Sequence, residues 1–379
     1  MDSDLPGEMQ RVTTTVDTVG GVVHVQHAGV APVFEAEPYL TLGTMGGLGE
    51  ASPDEFGRIR GLVADGDGRI YVGDGQALEI RVFGPDGTFL RRFGGRGAGP
   101  GEIGGLHGIA WAGHDSLVVM DPNNARLMLV NAGTGEQVEQ WRWGRISGSM
   151  RFLFNGGPRE FFAYFVRPSA ERGGGSQGVW VRYTPEGPQD TLTAPRLDGP
   201  LPGTQAICQG DGIGFFSNPY GDRLLSAPAP GGERVLGLAS RYRLAFLDPR
   251  GDTVRILSRE VEPIPVTNED WAPADSAYQE FRVAWHGADC EGTVERPAHR
   301  PVLRDLFFDH YGRLMVERSA PEGTALDLYD HDYRWIGTVP LPGRDRSEPP
   351  FLRDDWLYLV LRDTLGVQRV ATYGIGRET

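Results

Sequence analysis

Three stretches of the chain repeat one pattern: a short apolar run, a polar turn and a second apolar run. Residues 59–74 read IRGLVADGDGRIYVGD, residues 106–121 read LHGIAWAGHDSLVVMD, and residues 303–318 read LRDLFFDHYGRLMVER. Arg60 falls opposite Arg304, Asp65 opposite Asp309, Gly68 opposite Gly312, Arg69 opposite Arg313 and Val72 opposite Val316, while Asp74 falls opposite Asp121. Leu106 lies 47 residues after Ile59. A second turn follows each copy, in FGPDGTF, VNAGTGEQ and YDHDYRW, and FLDPRGDTV has the same form. Asp and Gly reverse a chain at little cost because both tolerate positive φ. RIYVGD and SLVVMD suit strands buried on both faces, whereas TFLRRFG has the polar content of an outer strand.

Four short strands recurring at a period of about 40–50 residues are the signature of a β-propeller, whose blades stand around a central channel. The 55 Gly and 28 Pro among 379 residues fit many tight turns between persistent strand-like runs. Residues 150–195 make a third unit, residues 206–228 with 242–261 a fourth, and residues 303–341 a fifth. Residues 350–375 make a sixth that is short of an outer strand. The expectation is an all-β fold in one domain over residues 1–379, a six-bladed β-propeller of four-stranded antiparallel blades. Residues 12–27 offer spare strand material and are expected to pair with residues 367–375, completing the last blade and hiding two sheet edges.

The run GLVADGDGRIYVGD…IRVFGPDGTFLRRFGGRGAGPGEI resembles NHL-type six-bladed propellers, and in particular a bacterial six-bladed β-propeller family. Members of that family show a GRxGxGPGEF run after the first blade, and GGRGAGPGEI at residues 94–103 is similar to it. The segments LFFDHYGRLMVERS…WIGTVPLP and TLGVQRVATYGI look like that family's closing blades. The resemblance covers most of the chain from about residue 12 and weakens over residues 150–300. It implies the fold but no particular reaction, and many such proteins look exported.

Residues 260–300 do not read as strands. Trp271, Ala274, Tyr278, Phe281 and Trp285 recur at spacings of three and four, one face of a helix inserted between blades four and five. Pro273 is expected near its first turn and Gly287 as its stop. Such a face must be buried, either by packing on the propeller rim or by forming a lid over the channel. Cys208 and Cys290 are the two cysteines of the chain; they sit free or form a bridge, which would staple the insertion to the neighbouring blade.

The net charge of −14 argues against general nucleic-acid binding, which needs a basic footprint. All 37 basic residues are Arg, as a GC-rich coding sequence would give. No apolar run reaches 18 residues, so no transmembrane helix is expected. The first residues lack the charged-then-apolar pattern of a leader. An extracytoplasmic location, as a mature secreted or periplasmic chain, is expected, with the cytoplasm as the other reading.

GGRGAGPGEI is not a phosphate loop, since no Gly-Lys-Ser/Thr follows and a strand comes next; a flexible connection is expected there. DGDG at residues 65–68 lacks the Glu of a calcium-binding loop. No His pair has metal-binding spacing, and no Gly-x-Ser-x-Gly elbow occurs. Arg60, His107 and Arg304 begin innermost strands and are expected at one end of the channel. With Trp271, Tyr278, Trp285 and His286 of the insertion they form a candidate site for an anionic or aromatic small molecule. Asp74, Asp121, Asn123 and Asn124 are the candidate oxygen ligands for a calcium ion. Two functions follow. One is a non-catalytic scaffold that binds a small molecule, glycan or protein at its channel mouth or rim and needs no cofactor. The alternative is a calcium-dependent hydrolase or lyase acting on lactones or esters.

Overall fold

The repeated turn is built by its aspartate. Asp65 Oδ1 accepts hydrogen bonds from the backbone N–H of Asp67 at 3.0 Å and of Arg69 at 2.9 Å, and Oδ2 accepts from Arg69 Nε at 2.6 Å. Asp309 holds Tyr311, Arg313 and the Arg313 guanidinium in the same way. Asp248, Asp330 and Asp363 each take the amides two and four residues on. The carboxylate thus satisfies the donors that a reversing chain would otherwise leave unpaired, and the hairpin register follows.

The computed structural model describes residues 12–44, 52–113, 115–142, 149–157, 160–168, 176–193, 205–210 and 212–377. Within them the protein is all-β apart from the helix Asn268–Ala284 and two short 3₁₀ turns. The first sheet is Ile59–Ala64, Ile70–Asp74, Glu79–Phe83 and Phe89–Gly94, each strand antiparallel to the next. The second runs from Gly108–Gly113 to Gln137–Arg142, the third from Ser149–Gly157 to Gly187–Thr193, and another from Leu303–Phe308 to Trp335–Leu341, all four-stranded in chain order. Leu224–Pro228, Arg234–Leu238, Arg243–Leu247 and Thr253–Arg259 are four consecutive strands of the six-stranded sheet that comes between those last two in the chain. The final sheet combines Phe351–Arg353, Trp356–Arg362 and Gln368–Arg377 with the early strand Phe34–Leu42. Successive four-stranded antiparallel sheets of this kind are the arrangement of a β-propeller.

Neighbouring sheets bury both faces of each inner strand. Val63, Ile80 and Val82 of the first sheet pack with Ile109, Val119 and Met128 of the second. Ile70, Val72 and Phe83 turn the other way, onto Tyr358, Val360 and Val370 of the final sheet. Burial on both faces explains why RIYVGD carries almost no polar alternation.

Three expectations need correction. The strand that pairs with Gln368–Arg377 is Phe34–Leu42, with Val370 opposite Leu42 and Arg377 opposite Phe34. Residues 12–27 instead form a hairpin, Thr13–Val19 with Val22–Ala28, whose second strand lies parallel to Thr253–Arg259. Its Gly20-Gly21 turn takes positive φ at both residues, as a type I′ two-residue hairpin loop requires. His27 anchors it: the buried ring donates from Nε2 to Tyr333 O at 2.9 Å, and Nδ1 accepts from Thr14 Oγ1 at 3.1 Å.

The second correction concerns residues 206–217, assigned from sequence to the fourth blade. Gln205–Gln209 pairs with Ile213–Ser217 and with Asp289–Glu291 in a separate three-stranded sheet. The GGRGAGPGEI run is the third. It is held, not flexible: Arg126 Nη2 donates to Gly99 O at 3.1 Å and to Glu102 O at 2.6 Å, Asn124 Nδ2 donates to Gly97 O at 2.8 Å, and Arg96 bridges Ile103.

Candidate functional site

Arg60 and His107 stand at the starts of the inner strands of the first two sheets, whose first strands touch. They line one cavity of about 230 Å³ together with Arg58, Arg96, Leu106 and Asn123. No carboxylate lines it, and Arg58, Arg60 and Arg96 make no ion pair within 4 Å among the described residues. Burial and the neighbouring Arg58 lower the Arg60 pKa, opposed by Glu348 and Asp345. Burial, Arg60 and Arg58 lower that of His107, opposed by Asp121. Burial is the larger cause in both, and the neighbouring guanidiniums add a positive potential that an anion would relieve.

Arg304 is not among the lining residues of this cavity. Its pKa is pushed down to about 10 by burial and by Arg346 and Arg223, with Glu317 and Tyr220 opposing. Among the described residues its Nε is buried without a hydrogen-bond partner. Arg223 and Arg346 both donate to Arg304 O, at 2.6 and 2.8 Å.

The charges between Arg60 and Arg304 come from a segment that the repeat alignment does not capture, GRDRSE at residues 343–348. Arg344 Nε donates to Glu317 at 3.1 Å and its Nη1 to Glu348 O at 2.8 Å. Asp345 accepts from Gln368 Nε2 at 2.7 Å, and Gln368 Oε1 in turn accepts from Ile59 N at 2.8 Å. Burial raises the carboxyl pKa of Glu348 well above the usual range, and burial together with Glu317 raises that of Asp305. Alternating charges in a short link between two strands were the available sequence signal.

The insertion forms the expected helix, Asn268–Ala284, capped by Thr267 and Asp270 in a reciprocal capping box. Pro273 lies in the second turn, one turn later than expected. Tyr278 and Phe281 pack on Phe216 at ring distances of 5.2 and 5.6 Å. Trp285 lies against Gly214, where a side chain would collide with the indole. The face therefore covers the three-stranded sheet, which explains its aromatic spacing; Trp271 is half-buried and His286 exposed. None of the four proposed insertion residues, Trp271, Tyr278, Trp285 and His286, lines the Arg60–His107 cavity. The helix reaches the Arg304 neighbourhood through Tyr220, whose hydroxyl donates to Asp270 O at 3.2 Å. Cys208 and Cys290 sit opposite each other on paired strands and form a disulfide.

The calcium candidates do not fit a cation. Asp74 accepts from the amides of Gly57, Arg58, Gln76 and Ala77 and pairs with Arg81 at 3.3 Å. Asp121 accepts from the amides of Gly104 and Gly105, from Asn124 Nδ2 and from Arg126 Nε. Asn123 Nδ2 donates to Gly104 O. Both carboxylates are buried and engaged by donors, and a hard cation needs oxygens with lone pairs to offer.

No protein-family model matches the sequence, and no curated protein is significantly similar to it. Similar solved structures include a putative exported protein from Bacteroides fragilis, at a TM-score of 0.43 and 11% identity, covering 92% of this chain and 99% of that one. Regucalcin, a calcium-binding protein from Agrobacterium tumefaciens, gives 0.39 and 13% over 92% of this chain and 98% of that one. The WD40 β-propeller domain of Doa1 gives 0.44 and 9% over 89% and 97%. Likenesses of this degree say nothing of activity or ligand.

Proposed function

We propose that this chain is a binding protein rather than an enzyme, and that its channel-mouth cavity takes a small anion, a carboxylate or a phosphate. One observation carries the reading: Arg58, Arg60, Arg96 and His107 face one cavity that contains no acidic side chain. Guanidinium groups without a carboxylate partner favour planar anions that they can fork. The lining offers no hydroxyl, thiol or carboxylate beside His107, so it lacks a nucleophile and an acid–base pair.

The scaffold we infer is a six-bladed ring in the manner of the family that the sequence resembles. In support, the sheets touch in chain order, the sheet of 303–341 contacts strand Phe34–Leu42, and the sheet of 351–377 contacts Ile59–Ala64. An extracytoplasmic location accords with the Cys208–Cys290 bridge, since such bridges persist in oxidising compartments.

The test is calorimetric titration of the purified protein with succinate, citrate and inorganic phosphate at low and high salt. Binding of at least one, weakened about tenfold or more in Arg60→Ala and by added salt, supports the reading. No binding, or equal binding by Arg60→Ala, overturns it. Calcium-dependent hydrolysis of aryl esters or lactones by the wild-type protein would overturn the non-catalytic assignment.

A further inference from the structure

The seam between the first and final sheets holds a second cavity, of about 280 Å³. Its rim is aromatic. Tyr39 and Trp356 meet edge to face, with ring centroids 4.9 Å apart, yet they remain 57% and 37% exposed. Tyr39 owes its position to a register shift. Thr372 pairs with Leu40 and Tyr373 with Pro38, so Tyr39 is the extra residue of a β-bulge. A bulge re-aims a side chain that a regular ladder would point elsewhere.

The remaining lining is polar and of both signs. Arg353, Asp355 and Asp67 border the cavity. Asp354, in the two-residue turn between Phe351–Arg353 and Trp356–Arg362, also lines it and accepts from Tyr311 Oη at 2.6 Å. Thr372 is 4% exposed and lines the same cavity, and its Oγ1 has no hydrogen-bond partner among the described residues. A buried hydroxyl without a partner costs free energy that a bound polar group would recover.

We propose that this seam cavity is a binding site for a neutral saccharide, one pyranose ring seated on the Tyr39–Trp356 rim with its hydroxyls directed at Thr372, Arg353 and Asp355. The four lining carboxylates, Asp65, Asp67, Asp354 and Asp355, oppose an anion; Arg69 already pairs with Asp65 and Asp67, and Arg353 shares the lining with the other two, which leaves little charge for a cation. A ring of hydroxyls needs acceptors and donors side by side, which this lining supplies. Exposed aromatic faces cover the apolar C–H face of a sugar. The volume, at the lower end for small-molecule pockets, suits one ring. The site is separate from the cationic cavity and does not depend on it.

The experiment titrates the full chain with glucose, galactose, mannose, N-acetylglucosamine and cellobiose, by calorimetry and by saturation-transfer NMR. The expected result is binding of at least one sugar, weakened about tenfold or more in both Trp356→Ala and the isosteric Thr372→Val, and unchanged in Arg60→Ala. Should Trp356→Ala not fold, Tyr39→Ser at the exposed rim takes its place. Three results overturn the proposal: no sugar binds the wild-type chain, sugars bind the rim and Thr372 variants as well as the wild type, or tetramethylammonium binds and is lost in Trp356→Ala.

Discussion

Arg126 Nε donates to Asp121 Oδ2 at 3.1 Å, and both side chains are buried. The same guanidinium reaches the carbonyls of Gly99 and Glu102, so one ion pair fixes the end of an inner strand and the glycine-rich link before it. Arg81 and Asp74 are the corresponding pair one sheet earlier. Removing one partner leaves a buried charge uncompensated, so Arg126→Ala is expected to cost about 3–5 kcal/mol in urea unfolding. The link at residues 94–103 should also become cleavable by protease at early times. Wild-type stability with an intact link would refute this.

The Cys208–Cys290 bridge closes 82 residues of chain. In the loop-entropy account a cross-link of that span contributes about 4 kcal/mol. The Cys208→Ser/Cys290→Ser double variant should lose stability on that order in denaturant unfolding. The helix Asn268–Ala284 should then exchange its amides faster than the first sheet does.

Two truncations separate the roles of the N-terminal strands. Deleting residues 1–31 removes the hairpin Thr13–Val19/Val22–Ala28 from an outer edge and should leave a folded, less stable protein. Deleting residues 1–43 also removes Phe34–Leu42 and leaves the Gln368–Arg377 edge unpaired. That variant should aggregate, measured by light scattering during refolding. Equal solubility of the two deletions would contradict the observed pairing.

Burial lowers the pKa of His27 below the ordinary histidine value of 6.5. Its neutral form is thus favoured by folding, and its contribution to stability is full above pH 6.5. As pH falls from there through the lowered folded value the unfolded chain binds the extra proton, and the contribution is lost. His27→Gln should flatten the stability profile over that acidic window relative to wild type, by thermal melts at matched ionic strength. An unchanged slope would show that His27 does not titrate with folding.

Glu348 has the opposite sign. Burial first, then Asp345, raise its carboxyl well above 4.5, with Arg60 and Arg58 opposing. Its folded form is favoured when protonated, so its penalty grows as pH rises through the raised value. Glu348→Gln should therefore stabilise the protein at alkaline pH and make little difference in acid. Above the raised value, where Glu348 is ionised, it should also tighten anion binding at Arg60 by removing an opposing charge.

The inner strands were legible because burial on both faces leaves long apolar runs such as RIYVGD, and the Asp-x-x-x-Arg turns were legible as repeats. The capped helix was legible from its aromatic spacing. The strand that closes the final sheet was not, because Phe34–Leu42 and residues 12–27 are both short and mixed in polarity. Choosing between them depends on which edge each can reach, a long-range property. The candidate sites were legible in part. Arg60 and His107 follow from the repeat, whereas Arg344, Asp345 and Glu348 lie in a link outside it. Tyr39 enters its cavity through a bulge, which displaces it from the alternation that sequence patterning assumes.

The pairing of Phe34–Leu42 with Gln368–Arg377 sets a clock for biogenesis. The early strand leaves the ribosome with its partner still unmade, and its edge must be kept from other chains until residues 368–377 have emerged. Closure of that sheet therefore waits for residues 368–377 and is slow because it joins remote segments. A chain whose last sheet waits this long for its partner strand stays open to capture by a chaperone or by another chain. Its vulnerability to self-association is then greatest in the interval before the two strands meet.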